Sequence, residues 1–242
     1  MSKTQHDLQT TYAPNKGWSH FVLYTEPERG IVTSGLHAAA TFEQPTRYVK
    51  EWLSRLRECE PNPLHTLLVE NSKIPSLFHP CVYEDRESPS AIAEDGCVCH
   101  QTFMDLEFGL PVVAHHYRTV SGNIENWTYR TFAPAGLRAG ESFASMIIDG
   151  GAYIWIRTSS GLLSIIPEGR ASGYSVGYNG GGPTALASYI RQLIETDGRD
   201  TRPLDRAYDE QPDRNLLAWT SSKAATATQE LTLADLRRIQ GG

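Results

Sequence analysis

Apolar positions repeat along this chain with two periods, and each period predicts a different element. Over residues 45–58, Tyr48, Val49, Trp52, Leu53 and Leu56 recur at helical spacing, with Lys50, Glu51, Arg55 and Arg57 on the other side. Pro45 suits the first helical position, where its missing N–H costs nothing, and Glu60-Pro61-Asn62-Pro63 sets the stop. A second stripe, Leu186, Ala187, Tyr189, Ile190, Leu193 and Ile194, predicts a helix over 183–195 that Asp197-Gly198 ends. Between the two helices the pattern turns to strands. Segments 145–148, 153–157 and 162–166, separated by Asp149-Gly150-Gly151 and Ser159-Ser160-Gly161, predict an antiparallel meander. Shorter apolar runs predict strands at 21–24, 65–69, 112–117, 127–132 and 216–219, and Thr232 is placed to cap a last helix over 233–239.

Together these patterns predict an α+β fold, in which a mainly antiparallel sheet is covered by two principal amphipathic helices. Each helix has one apolar face, so each packs on one side of the sheet. The expected core holds Val22, Trp52, Leu56, Leu68, Ile147, Ile154, Ile156, Leu163, Ile165, Leu186, Ile190 and Leu193. Residues 1–17 read as a flexible polar tail, 18–220 as a single α+β domain with a lobe boundary near residue 100 as the alternative, and 221–242 as a low-complexity stretch with a short helix. Residues 74–95, broken by Pro75, Pro80 and Pro89, read as a long loop.

Composition narrows the class. Of 242 residues, 28 are acidic and 22 basic, a net charge of −6, so general nucleic-acid binding is unfavoured. The 40% apolar share is too high for a disordered chain. No run reaches the roughly 20 apolar residues that cross a bilayer, so no membrane partner is expected. The N-terminal residues lack an apolar signal core, which sets the expectation of a cytoplasmic protein with reduced cysteines.

Glycine and the reactive side chains point to chemistry at two places. Gly180-Gly181-Gly182 precede Pro183 at the predicted helix start. Glycines expose backbone N–H groups, and a helix N-terminus carries partial positive charge, so this turn is a candidate phosphate or carboxylate site. Tyr178, Asn179, Gly180, Gly181, Gly182 and Thr184 are the candidate ligand-binding residues. No Lys follows the glycines, so the turn is not a P-loop, and its spacing is not that of a dinucleotide fingerprint. The stretch Gly177-Tyr178-Asn179-Gly180-Gly181-Gly182-Pro183-Thr184-Ala185-Leu186-Ala187 resembles the W-G-Y-G-G-S-G-P-x-x-L-A signature of a group of uncharacterised small proteins of actinobacteria, plasmids and phages. The resemblance covers about residues 160–195. Val176 stands where that group has Trp, and Gly181 where it has Ser. It implies a phage or mobile-element origin and carries no activity.

The second place is the 79–100 segment. His79, Cys81, Cys97 and Cys99, with His100 beside them, supply the soft donors that tetrahedral zinc prefers, although Cys-x-Cys is tighter than common zinc spacings. No other cofactor is suggested. Asp105 and Glu107 alternate on a predicted strand and would form a carboxylate pair there. No complete catalytic motif is present. The expected function is therefore a ligand- or partner-binding protein that takes a small anion or a protein partner. The alternatives are an enzyme on a phosphorylated or nucleotide substrate, using the glycine turn with His115, His116 or Glu107, and an immunity-type inhibitor of a toxin.

Overall fold

The computed structural model describes residues 7–13, 18–24, 39–43, 45–66, 68, 92–93, 96–119, 125–168, 173–203 and 212–242. The fold is α+β, as the two periods predict. Its strands are β1 (Asp7–Ala13), β2 (Trp18–Tyr24), β3 (Ala39–Phe42), β4 (Arg57–Glu58), β5 (Ile92–Ala93), β6 (Gly96–Asp105), β7 (Leu110–Thr119), β8 (Glu125–Phe132), β9 (Phe143–Asp149), β10 (Tyr153–Thr158), β11 (Leu163–Ile165) and β12 (Gln229–Thr232). The helices are α1 (Arg47–Leu53), α2 (Pro63–Thr66), α3 (Gly181–Glu195), α4 (Arg214–Thr220) and α5 (Leu233–Gly241). Strands β1 and β2 form a hairpin. A four-stranded sheet runs β11-β10-β9-β12, and a larger one runs β3-β8-β7-β6-β4 with β5 also on β6.

The four-stranded sheet is the centre of the molecule, because alternation sends its apolar side chains to both faces. Met146, Ile148, Ile154 and Ile156 meet Leu186, Tyr189, Ile190 and Leu193 of α3, with Leu216 of α4 and Leu236 of α5. Ile147, Trp155, Leu163 and Ile165 meet Tyr48, Val49 and Trp52 of α1 and, beyond them, Phe42 and Val112 of the larger sheet. The two principal helices thus lie on opposite faces of one sheet. Leu56, expected in the core, is partly buried, and the side chain of Val22 lies outside the described residues.

Several elements differ from the sequence expectation, each for a local reason. Helix α1 ends at Leu53 rather than Glu58, because Arg57 and Glu58 pair with Met104 and Phe103 at the edge of the larger sheet. Its start is set by Thr46, whose hydroxyl accepts from Val49 N–H, so Pro45 precedes the cap. Residues 63–66 are helical, not a strand: Asn62 Oδ1 accepts from Leu64 N–H at 2.9 Å, and Pro63 opens the turn. Residues 214–220 are likewise a helix, capped by Asp213, which accepts from Asn215 and Leu216 N–H. Residues 7–13, read as tail, form β1, and residues 229–232 form β12, antiparallel to β9 with Leu231 opposite Met146. Thr232 caps α5 in a reciprocal box with Asp235. No helix among the described residues is long and apolar enough to cross a membrane.

Candidate functional site

The glycine turn is built as a close contact. Gly177 has φ 91°, and a Cβ there would overlap the Thr226 methyl group. A Cβ at Gly182 would overlap Ser175 Oγ and lie 2.8 Å from Gly173 O and 3.0 Å from Tyr178 Oη. The loop therefore folds back over the first turn of α3. Ser175 Oγ donates to Tyr178 Oη at 2.9 Å, and Gly177 N–H donates to Thr220 O at 2.8 Å. Thr220 in turn donates its buried hydroxyl to Pro183 O at 3.0 Å, which ties α4 to the start of α3.

All six candidate residues gather at this turn, but in different states. Gly180 is the N-cap of α3 with extended backbone. Gly182 is buried, and the Thr184 hydroxyl donates to Gly180 O at 2.9 Å. Tyr178, Asn179 and Gly181 are exposed. Gly177, Gly180 and Gly182 are accounted for by close packing, and an anion would meet chiefly the three exposed residues.

His79 and Cys81 lie outside the described residues. Cys97 and Cys99 stand on β6 opposite Arg118 and His116 of β7. Among the described residues no group of three or more His, Cys, Asp or Glu is placed to hold a metal. Cys59 pairs by its Sγ with His65 Nε2 at 3.8 Å. Burial, with Glu58 and Glu60 nearby, pushes its thiol up, which suits packing better than nucleophilic attack.

Asp105 and Glu107 do not form a carboxylate pair. Asp105 ends β6, is buried, and accepts from Trp52 Nε1 at 3.1 Å and from Arg55 Nη2 at 2.7 Å. Glu107 lies in the following turn and pairs with Arg138. His115 and His116 adjoin on β7, and the strand's alternation separates them: His115 stacks on His100 at 4.7 Å, His116 on Trp127 at 4.2 Å. Both belong to the larger sheet, whereas the glycine turn belongs to the helix layer beyond the four-stranded sheet. The groups proposed for phosphoryl chemistry do not converge.

Two concavities carry residues that the sequence reading passed over. A cleft of about 290 Å³ lies between α1 and β8, lined by Phe42, Pro45, Val49, Leu53, Trp127 and Tyr129, with Glu43 and Asn126. Trp127 and Tyr129 are two apart on β8 and opposite His116 and Ala114, so both rings rise on one face of the sheet. A smaller pocket of about 140 Å³ joins β3 to β10 and contains Glu168 and Tyr174. Burial pushes the Glu168 carboxyl up to about 7, against the Tyr174 N–H that hydrogen-bonds to it. An open groove of about 700 Å³ at residues 136–141 and 195–202 is polar, and its charges are engaged. Arg202 holds Asp200 at 3.0 Å, and hydrogen bonds from Ser160, Thr158 and Ser159 bring Glu141 down to about 2.

The sequence signal for Trp127 and Tyr129 was their period-two spacing, which read only as strand. Glu168, a lone acid after Ile165-Ile166-Pro167, carried no signal. No protein-family model, no curated protein and no solved structure matches this chain.

Proposed function

We propose that this chain is a ligand-binding protein whose recognition site is the cleft between α1 and β8. The observation that supports it is the aromatic wall: Trp127 and Tyr129 stand half-buried beside Val49 and Leu53, with their ring planes 17° apart. Concave sites lined by aromatic and aliphatic groups with few polar ones are the usual form of small-molecule pockets. Glu43 at the cleft disfavours an anion there, so the ligand is flat or hydrocarbon-rich and neutral or cationic. The setting we propose is cytoplasmic. The phage or mobile-element origin rests on the glycine-turn resemblance alone.

Amide and indole NMR shifts of the full chain, titrated with a set of neutral and cationic aromatic fragments, test this. The expected result is saturable shifts at Trp127, Val49 and Leu53 that vanish in Trp127→Ala. Shifts confined to other surfaces, or unchanged in Trp127→Ala, would sink the reading.

A second reading has its own observation. Gly181, the first residue of a 15-residue helix, and Asn179, just before its cap, are exposed where the backbone is electropositive, so an anion would dock there. Titration with inorganic phosphate should then move the Gly181 and Asn179 amides and leave Trp127 still. For an immunity-type inhibitor, the occupant of either surface is a toxin. The zinc proposal on His79, Cys81, Cys97 and Cys99 is tested by elemental analysis of wild type against Cys97→Ser.

A further inference from the structure

The pocket at Glu168 shares only Phe42 with the α1–β8 cleft, so what it binds is independent of the reading above. Its walls are Ile154, Ile165 and Ile166, and its polar groups are Thr41, Tyr153, Tyr174 and Glu168. The Tyr153 hydroxyl accepts from Glu43 N–H at 3.0 Å, and Tyr174 packs on Tyr189 at 5.3 Å, so both rings are fixed. Glu168 is anchored from behind: its backbone N–H donates to Pro134 O at 3.3 Å, and its carboxyl takes the Tyr174 N–H. Among the described residues no cation pairs with it, and no Lys, Arg or His lines the pocket.

A carboxyl set into an aliphatic pocket gains most from a ligand that brings positive charge and a hydrocarbon stem. The volume, about 140 Å³, admits a short chain and excludes a nucleotide. We infer that this pocket binds a primary alkylammonium group, with the Glu168 carboxylate holding the nitrogen and Ile154, Ile165 and Ile166 enclosing the stem. Tyr153 and Tyr174 are the other titratable groups lining the pocket.

The charge state of Glu168 gives the binding a signature. Burial holds the carboxyl at about 7, so it must lose its proton to pair with an ammonium. Binding therefore releases a proton and tightens as pH rises through 7. Tyr174 does not titrate in that window, since burial and the nearby Glu168 push its hydroxyl further up.

The test is calorimetric titration of the full chain with n-butylammonium at about pH 6 and about pH 8, with n-butanol as the uncharged control. The expected result is affinity about tenfold higher at the upper pH, weak binding of butanol, and loss of ammonium binding in Glu168→Gln. Circular dichroism and melting of Glu168→Gln establish that it folds. An N-acetylated lysine amide in a short peptide separates the sources: tighter binding than butylammonium assigns a partner's lysine, equal or weaker binding a free amine. No binding of either amine, equal binding of butanol, or undiminished binding by a folded Glu168→Gln overturns the inference.

Discussion

Helices α1 and α3 cover opposite faces of one sheet and are held there by different forces. Around α3 the contact is apolar, with Leu186, Tyr189, Ile190 and Leu193 fully enclosed against β9 and β10. Around α1 the buried face is smaller and polar ties surround it. Thr46 donates to Asp149, Trp52 and Arg55 bind Asp105, and Arg157 clasps Glu51 at 2.8 Å. Burial of area stabilises α3 with little regard to partner geometry, while α1 depends on donors and acceptors meeting. The shorter helix, seven residues against 15, has less surface to bury and is fixed by bonds instead.

The contrast is broken most severely at Asp105. Asp105→Ala leaves Arg55 and the Trp52 indole N–H without their acceptor and is expected to cost about 3–5 kcal/mol. On the other face, Leu186→Ala opens a cavity and costs about 2–5 kcal/mol, with no dependence on salt. Urea melts at low and high ionic strength measure both. A smaller loss, about 1 kcal/mol, is expected from Tyr189→Phe, which removes the buried bond to Thr201 O and leaves the ring in place. The least effect belongs to Glu51→Gln, at most about 1 kcal/mol and less in high salt, because the pair with Arg157 is partly exposed.

pH separates two carboxyls, one beside α1 and one in the β3–β10 pocket, by sign. The Arg157 hydrogen bond lowers the Glu51 carboxyl, so its contribution is present above the ordinary carboxylate range and is lost as pH falls through its folded value. Glu168 is raised to about 7, so its contribution is present at acid pH and is lost as pH rises from the carboxylate range through 7. Melting temperature against pH should have a shallower acid slope in Glu51→Gln and a shallower near-neutral slope in Glu168→Gln. Unchanged profiles would show that neither carboxyl contributes to stability.

Much of the architecture was legible where one period dominates. Helix α3 and the β9–β11 meander carry long, clean patterns, and their core residues are those expected. Short elements were decided by caps and partners instead. Leu216-Leu217-Ala218-Trp219 is apolar throughout and reads as strand, yet Asp213 supplies two capping bonds and makes it a helix. Strand β12 has one apolar residue, Leu231, and is a strand because β9 lies beside it. The candidate site divides in the same way. That the glycines of the turn matter was legible, since close approach demands them, but the neighbours that fill their space, Ser175 and Thr226, are visible only in three dimensions. Glu168 and the face shared by Trp127 and Tyr129 depend on strand register and enclosure, which no spacing along the chain encodes.

The late arrival of β12 has a consequence for synthesis. During translation β9 emerges with β10 to pair with, while its other edge stays open until residues 229–232 have left the ribosome. That edge belongs to Phe143-Ala144-Ser145-Met146-Ile147-Ile148, an apolar strand whose open edge can recruit other chains. Gln229, Glu230 and Thr232 then close it with a polar border. A ribosome stalled before that point would hold an adhesive nascent chain, and the final segment acts as the release from that hazard.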